Sequence, residues 1–413
     1  IQHIKHILVH YFFCLFVESL KYNHYNNNIK MKIFIKIIIF FCITSVLSIQ
    51  KTSAEEKIKI GLLVPITGQN SEIGKSIIKS VRLAINKIDN SSIEIFPKDT
   101  ASNPEITLRN AKKLYEDGVK IIIGPVFNKN LIYLDELQDV TFLSLTNKVI
   151  NNPENIISTG INANSQLKTI IKFQKLNEIN KTIFLIPKKN YKEEIEKAIK
   201  QSKIKTKEVF YYDSDPTKLT KQIEKITKYY QRKQNLEDEI KRLKNSDEIN
   251  KEKKIKTLEK RDTLGKVDFD SIIISDFDEN LKSITMSLLY TDISPKKIYF
   301  ITLNQWFDES LLKETNLQPI YFPSINKENY DKFINTYYET FNEYPNQLSF
   351  LSYDLVGLVY YLALQNNLII DKKIFLKKNI FKGKMGIFEV KNNKINHTLN
   401  FYKAEDNNFK KIF

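Results

Sequence analysis

VKIIIGPVFNKN, residues 119–130, shows most directly how this chain folds. Val119 and residues 121–123 form a short, β-branched apolar run that Gly124-Pro125 ends at once. Such a run, flanked by helical patterns, is typical of a buried strand in a parallel sheet. Glycine permits a close backbone approach, and proline turns the chain out of the sheet. Because ligands bind beyond the carboxyl ends of such strands, this turn is either a ligand loop or an ordinary strand-to-helix connection.

Similar apolar runs alternate with helical patterns along the chain. Strands are predicted at 58–65, 93–96, 119–123, 141–145 and 155–159, with helices near 71–89, 104–117 and 131–137. After Gly160 the pattern restarts, with strands at 182–186, 208–212, 271–275, 297–302 and 318–322. Helices follow at 330–341 and 352–364. This alternation predicts an α/β protein with two doubly wound, Rossmann-like lobes.

Residues 216–265 interrupt the second lobe with a Lys- and Glu-rich segment. Leu236, Ile240 and Leu243 have helical spacing, and the turn residues 245–247 separate them from a second, similar stretch. The pattern predicts a solvent-exposed antiparallel helical hairpin. A disordered charged loop is the alternative.

The amino-terminal segment indicates export. Residues 1–30 contain no Met and are predicted not to belong to the native protein. Residues 31–54 combine lysines, an apolar run at 37–47 and small residues at 52–54, as in a secretory signal peptide. A membrane anchor is the alternative. Because Phe40-Phe41 precede Cys42, a lipid anchor is not expected, and we predict a periplasmic protein without a stable membrane span after cleavage.

Composition excludes several functions. Both cysteines, Cys14 and Cys42, precede residue 55, and His397 is the one histidine beyond it. A thiol nucleophile, a Cys/His metal cluster and a disulfide are therefore excluded for the exported part, and we expect no enzyme, cofactor or metal. The net charge of +16 could indicate nucleic acid or an anionic membrane. Because the lysines alternate with acids along helices, a solvated surface and no nucleic-acid partner are the better interpretation.

One motif imitates a nucleotide site. GQNSEIGKS, residues 68–76, lies between a strand and a helix, and Asp276 after the run 272–274 could imitate a metal-holding carboxylate. A phosphate-binding loop has four residues between its first Gly and Gly-Lys-Ser, whereas this segment has five. A nucleotide hydrolase is therefore not expected.

Taken together, the motifs resemble those of the type I periplasmic binding proteins, the family of the leucine/isoleucine/valine-binding proteins. The matching residues follow one another in register over 57–413: GLLVP at 61–65, Thr67-Gly68, Asp99, IGP at 123–125, LSLT at 143–146, Asn190-Tyr191, Tyr353-Asp354 and FKGKMGIF at 381–388. The resemblance implies two lobes joined by three crossings. Lobe one would comprise 57–160 and 324–371, and lobe two 161–323 and 372–413.

The resemblance also implies a ligand site between the lobes, where hydroxyl and N–H groups hold a carboxylate and an acid holds an ammonium. Ser144 and Thr146 match strand-end hydroxyls, although such hydroxyls can equally well serve the backbone. Where the family has an acid, residues 302–308 offer Asn304, Trp306 and Asp308 rather than a glutamate. The candidate ligand-binding residues are Thr67, Gln69, Phe127, Asn128, Ser144, Leu145, Thr146, Tyr191, Asn304 and Trp306.

Two functions are compatible with this resemblance. The first is capture of a small amino-acid-like solute for an ABC-type permease by lobe closure. The second follows from RDTLGKVDFD at 261–270, the hairpin and FKGKMGIF, which resemble the penicillin-binding protein activator branch and imply regulation of a cell-wall synthase through protein contacts. An acid near 302–308 that reaches the ligand would favour the first function. A filled cleft and a long hairpin with an apolar stripe would favour the second.

Overall fold

The computed structural model describes residues 57–88, 92–149, 152–303 and 306–413. The segment 1–30 and the predicted signal peptide 31–54 lie outside the described residues. Two parallel sheets organise the described chain, one in each lobe, and both have helices on their two faces. The predicted α/β fold class is therefore confirmed.

The sheet of lobe one has the order β2-β1-β3-β4-β5, and all of its strands are parallel. Successive residues of β3 face opposite sides, so Ile121 and Ile123 pack under one helical layer and Ile122 under the other. The amino-terminal elements of this lobe are β1 (Ile58–Val64), α1 (Ser71–Ile88), β2 (Ile93–Asp99), α2 (Pro104–Glu116), β3 (Ile121–Ile123), two 3-10 turns (Asn128–Leu131 and Leu134–Glu136), β4 (Thr141–Ser144) and β5 (Ile156–Ser158).

The turn after β3 requires glycine. Gly124 has a φ of +110°, and a Cβ atom there would lie 2.1 Å from the carbonyl oxygen of Leu63. The backbone approach predicted from the sequence is therefore present. The helix predicted at 131–137 is absent, because the chain forms the two short 3-10 turns instead. Leu131 and Leu134 still reach the core from these turns.

The sheet of lobe two has the order β15-β14-β10-β9-β8-β6-β7. Its five parallel strands repeat the plan of lobe one, and β14 and β15 add antiparallel pairs at the edge. The elements are α3 (Ala163–Leu176), β6 (Thr182–Pro187), α4 (Lys192–Ser202), β7 (Glu208–Tyr212), α5 (Pro216–Ile226), α6 (Tyr229–Lys244), α7 (Lys251–Leu258), β8 (Ser271–Ile274), α8 (Asp278–Tyr290), β9 (Tyr299–Thr302), α9 (Ser310–Lys313), a 3-10 turn (Thr315–Leu317) and β10 (Ile320–Ser324).

The helical hairpin consists of α6 and α7, and it starts later than its composition predicted. The predicted insertion 216–265 includes α5, but α5 is a core helix of lobe two. Leu219 and Ile223 of α5 are buried in the same cluster as Ile284 and Leu288 of α8. The predicted start of the hairpin was wrong because α5 is Lys-rich on its exposed face. Its opposite face carries two large core residues, which the overall composition does not reveal.

The carboxyl-terminal part of the chain divides between the lobes at Leu399. A small antiparallel sheet of β11, β12 and β13 packs on lobe one, where Phe388, Val390 and Ile395 join the cluster that contains α1. Only β14 and β15 belong to lobe two. The expectation that 372–413 as a whole lies in lobe two is thus incorrect for residues 372–399. The elements are α10 (Lys327–Phe341), α11 (Gln347–Gln365), a 3-10 turn (Lys372–Phe375), β11 (Asn379–Lys382), β12 (Ile387–Lys391), β13 (Lys394–Thr398), β14 (Asn400–Glu405) and β15 (Asn408–Lys411).

Helix α11 is the one helix of the described chain that is long and apolar enough to cross a membrane. It contacts α1 along its length and carries the buried residues Phe350, Leu355 and Leu362. Its apolar composition is explained by this position in the core of lobe one.

Candidate functional site

Each sheet has a topological switch point at the same place in its strand order, and these two points position the candidate site. In each lobe the first strand lies between the second and the third, so a crevice opens beyond the carboxyl ends of the first and third strands. In lobe one this crevice lies after β1 and β3, at residues 65–69 and 124–128. In lobe two it lies after β6 and β8, at residues 188–191 and 275–277.

Thr67 lies at the lobe-one switch point, and its hydroxyl donates to Asp99 Oδ2 at 2.5 Å. The other carboxylate oxygen of Asp99 accepts from the N–H groups of Ile66 at 2.7 Å and Ala101 at 2.8 Å. Burial alone would raise the pKa of Asp99. The hydrogen bonds from Thr67 and from the backbone outweigh that effect, so the pKa lies below its usual value. The ionised carboxylate therefore fixes the loop after β1.

Ser144 is fully buried, and its hydroxyl donates to the carbonyl oxygen of Pro125 at 3.0 Å. The same hydroxyl accepts from the N–H group of Thr146 at 3.4 Å. Thr146 is only half-buried, and its hydroxyl accepts from the N–H of Lys148 at 3.2 Å, which leaves its own proton to donate. Of these two predicted hydroxyls, Thr146 is the one with a hydrogen bond still to offer.

The remaining lobe-one candidates differ in exposure. Gln69 and Asn128 are exposed on the two loops of the switch point. Phe127 is half-buried and packs against the lobe-one core, and Leu145 is 2% exposed within that core. The polar pair can therefore contact a ligand in the crevice, whereas Leu145 shapes the strand end from behind.

The lobe-two switch point contains a buried ionic cluster around Asp276. The carboxylate of Asp276 is fully buried, and both of its oxygens lie 3.1 Å from Nζ of Lys189. It also accepts from the hydroxyl groups of Tyr191 at 3.2 Å and Tyr212 at 2.9 Å and from the N–H of Phe277 at 3.1 Å. All acceptor directions of this carboxylate are thus used within the protein.

The two tyrosines stay protonated as donors in this cluster. Burial first, and then the charge and hydrogen bonding of Asp276, raise the pKa of Tyr191 and that of Tyr212 well above the usual value. The Tyr191 ring lies 6.2 Å from that of Phe277, which is 38% exposed. Tyr191, one of the predicted ligand-binding residues, therefore forms part of an aromatic rim over a neutralised ion pair.

Residues 306–308 do not supply an acid to the crevice. The carboxylate of Asp308 accepts from the N–H and the hydroxyl of Ser310, both at 2.8 Å, and is therefore engaged at the start of α9. The Trp306 ring lies 5.9 Å from the ring of Tyr330 on α10 of lobe one. Asn304 lies outside the described residues. Trp306 therefore bridges the lobes at this edge.

A second contact between the lobes is a backbone-to-side-chain hydrogen bond. The N–H of Val149, beyond β4, donates to Glu194 Oε1 on α4 at 2.9 Å. Together with Trp306, this bond connects lobe one to lobe two at points away from the chain crossings. Within the ranges that the structure describes, no group of three or more His, Cys, Asp or Glu could hold a metal ion.

Sequence reasoning missed Lys189, Tyr212 and most of the role of Asp276. Asp276 was considered only as an imitation of a metal-holding carboxylate. A usable signal was present, because Lys189 follows β6 and Asp276 follows β8, the two strands that bound a switch point. Tyr212 gave no such signal, since a tyrosine at the end of a β-rich run is ordinary.

Comparison with known proteins agrees with this architecture. Residues 57–228 match the sequence model described as "Periplasmic binding protein". This match supports the resemblance to the type I periplasmic binding proteins that the motifs predicted. No curated protein sequence matches the chain.

Solved structures of two kinds share the fold. The C-domain of LpoA from Haemophilus influenzae, described as a regulator of PBP1A, has 14% identity and a TM-score of 0.57, over 86% of this chain and 100% of that one. A putative branched-chain amino acid ABC transporter from Rhodospirillum rubrum has 10% identity and a TM-score of 0.64, over 86% and 100%. The leucine-binding protein LivK from Thermotoga maritima has 13% identity and a TM-score of 0.53, over 86% and 98%. At these identities the likeness shows the fold alone.

Proposed function

We propose that this protein is an exported, non-enzymatic binding protein that acts on a protein partner, a cell-wall synthase, in the periplasm. The observation that carries this proposal is the state of Asp276. A solute-binding cleft for amino acids needs a carboxylate that is free to hold an ammonium group. The buried carboxylate at the lobe-two switch point is neutralised by Lys189 and saturated by two tyrosine hydroxyls and a backbone N–H.

Other groups around the crevice support the same conclusion. The hydroxyl of Ser144 serves the backbone of Pro125 and Thr146. Asp308 accepts from Ser310, and Trp306 packs across to Tyr330. Ser144, Trp306 and Asp308 are thus engaged internally, which favours the second of the two functions considered from the sequence.

The hairpin of α6 and α7 provides a surface that solute capture does not require. Leu236 and Leu243 are buried, although neither belongs to the hydrophobic clusters of the lobes. Leu243 shares a groove with Leu258 of α7 and with Leu264, so the hairpin has an apolar interior of its own. The likeness to LpoA, a regulator of PBP1A, supports a cell-wall synthase as the partner.

Direct binding measurements test this proposal. The purified exported chain should bind the PBP1A homologue of its source organism, and its thermal transition should not shift when single amino acids are added. A ligand at about 100 times its dissociation constant would stabilise the fold by about 2.7 kcal/mol, which a thermal shift detects easily. A clear shift with an amino acid, together with no binding of the homologue, would refute the proposal.

A small-ligand function remains the second candidate, and Thr146 is the observation that favours it. Its half-buried hydroxyl can still donate, and the exposed Gln69 and Asn128 border the same crevice. Across from them the Tyr191 and Phe277 rings offer an aromatic surface. The thermal-shift assay should then find a ligand whose effect disappears in Thr146→Ala, while the PBP1A homologue does not bind.

A further inference from the structure

Four side chains from two helices form an exposed patch at the base of the hairpin. Tyr229 is the floor of this patch, with its ring 5.6 Å from those of both Tyr230 and Tyr290. Tyr230 is 66% exposed, Tyr290 57% and Met286 56%. Met286 precedes Tyr290 by four residues on α8, so the two share one face of that helix. We call Tyr229, Tyr230, Met286 and Tyr290 the tyrosine patch.

The tyrosine patch is placed on a rigid support. Arg232 is 5% exposed, and its guanidinium donates to the carbonyl oxygens of Thr227 and Thr291 and to the hydroxyl of Thr263. These bonds connect α6 to the ends of α5 and α8 and to the returning chain. The two exposed tyrosines are therefore held in a fixed relation, which lowers the entropy lost when a partner binds.

Contiguous apolar and aromatic exposure of this kind marks an interaction site rather than ordinary surface. Tyrosine and methionine are enriched in protein interfaces, and tyrosines supply much of the binding energy there. A tyrosine that contributes only to the core would be covered, as Tyr229 is. The exposure of Tyr230 and Tyr290 therefore points to a partner.

The charges beside the patch specify the chemistry of that partner. The hydroxyl of Tyr230 donates to Glu224 Oε2 at 3.2 Å, which places the patch beside α5. Lys221 lies three residues before Glu224 on α5, and Lys233 lies three after Tyr230 on α6, so both border the patch. Lys228 directly precedes Tyr229, at the break between the two helices. In the described part of the chain, none of these three exposed lysines forms an ion pair. The acids whose charges act on the patch tyrosines are Glu224, which is 7% exposed, and the exposed Asp262.

We infer that the tyrosine patch is a docking site for an acidic protein segment that inserts an apolar or aromatic side chain between Tyr230 and Tyr290. The lysines would attract the Asp and Glu residues on either side of that side chain and would speed association. This inference rests on the proposed function, because it specifies which surface and which chemistry the protein partner uses.

Synthetic peptides of defined charge test the patch directly. The probes are short fluorescent peptides with one Trp or Phe flanked by Asp and Glu, and matched peptides with Lys and Arg in place of the acids. The acidic peptides should bind roughly tenfold more tightly than the basic ones, and their affinity should fall as salt rises. NMR shifts or photocrosslinks should locate them at Met286 and Tyr290.

Matched variants separate the patch from general surface effects. Tyr230→Ser with Tyr290→Ser should weaken acidic-peptide binding roughly tenfold or more. The control is Tyr338→Ser with Tyr344→Ser, because these two are also exposed tyrosines with rings in contact, 4.9 Å apart, but lie at α10. Lys221→Glu with Lys233→Glu should weaken binding roughly fivefold, whereas Lys253→Glu with Lys256→Glu, on α7, should not. Circular dichroism confirms that each variant is folded.

Several results would overturn the inference. Equal binding of acidic and basic peptides, or unchanged binding in the patch variant, would remove the site. Cosedimentation with phosphatidylglycerol vesicles that depends on the patch would assign it to a membrane. Self-association in sedimentation that the patch variant abolishes would assign it to a second copy of this chain.

A parallel measurement with the PBP1A homologue distinguishes this inference from the proposed function. If the acidic peptides bind at the patch but the homologue does not bind the wild-type protein, the proposed function fails and the docking site stands. If the homologue binds wild-type protein and patch variant alike, and the peptides do not bind, the docking site fails and the proposed function stands.

Discussion

The Nε2 atom of His397 lies 2.7 Å from the carbonyl oxygen of Thr159. This bond joins the third crossing of the chain to the first, since Thr159 follows β5 and His397 belongs to β13. The ring is buried and packs against Phe388 at 4.6 Å. Burial lowers the pKa of His397 to about 4, although the bond to Thr159 acts in the opposite direction. The imidazole is therefore neutral in the folded protein and donates its Nε2 proton.

This bond predicts acid sensitivity. An unfolded histidine has a pKa near 6.5, so the unfolded chain takes up the proton first as pH falls. The neutral imidazole therefore contributes fully to the free energy of unfolding above about pH 6.5. This contribution, about 3 kcal/mol in total, is lost as pH falls towards about 4. His397→Gln keeps a donor for Thr159 and does not titrate. Unfolding curves should therefore show that the wild-type protein loses more stability than the variant over this range.

The comparison must use the difference between the two proteins, because Asp354 acts in the opposite direction. Burial raises the pKa of Asp354 to about 6, even though the N–H groups of Met385 and Lys384 donate to its carboxylate. Its protonation therefore stabilises the fold as pH falls below about 6. If the free energy of unfolding changed with pH by the same amount in wild type and His397→Gln, the imidazole would not be the source of the acid sensitivity.

Ser144 and Thr146 should respond differently to alanine. Ser144→Ala removes the donor to the buried carbonyl of Pro125 and should cost about 1–3 kcal/mol of stability. Thr146→Ala should cost roughly 0.5–1.5 kcal/mol or less, because its half-buried hydroxyl accepts a single bond that water can replace. Urea unfolding of both variants tests this. Equal losses would mean that the Ser144 bond is not the stabilising one.

Asp276 should be among the most sensitive positions of lobe two. Asp276→Ala leaves the buried hydroxyl of Tyr212 without an acceptor and Lys189 without its counter-ion, and should cost about 3–5 kcal/mol. Asp278→Asn is the control, since Asp278 is exposed two residues later and Asn also tolerates its φ of +51°; this variant should lose less than about 1 kcal/mol. A mild effect at Asp276 in guanidinium unfolding would contradict the buried cluster and weaken the proposed function with it.

The fold was largely predictable because it depends on local patterns. Residues 121–123 and the turn at Gly124 predicted the central strand of lobe one, and the same alternation predicted the parallel strands of lobe two. The packing of β11 to β13 on lobe one was not predictable. Phe388 and Val390 alternate with polar residues as in any half-buried strand, and only tertiary contacts decide which lobe covers them.

The site was predictable to a smaller extent. Loop positions such as Thr67 and Thr146 follow from the motif register, because strand ends fix where loops lie. The partners of a side chain do not follow from that register. The saturation of Asp276 needs Lys189, which follows β6, and Tyr212, which ends β7, and both lie more than sixty residues away in sequence. The start of the hairpin was misjudged for a similar reason, since Leu219 and Ile223 are buried by α8.

The corrected boundary of the hairpin gives the final prediction. Replacing residues 233–260 with a short Gly/Ser linker should leave both lobes folded. The N–H of Leu264 donates to the carbonyl oxygen of Arg232 at 2.9 Å, so the base of the hairpin is already closed and needs little linker. Shortening a surface loop changes the closure entropy by only about 0.6 kcal/mol per twofold change in length. Calorimetry should show one cooperative transition near that of the wild-type protein.

A longer deletion, residues 219–261, is the matched comparison. It also removes Leu219, Ile223 and Arg232, which are 3%, 0% and 5% exposed. Loss of each large core side chain alone costs about 2–5 kcal/mol, so this variant should be unfolded or insoluble. If the shorter deletion were also insoluble, the interior of the hairpin would have to be part of the lobe-two core. If the longer deletion folded normally, α5 would not be the core helix that its burial indicates.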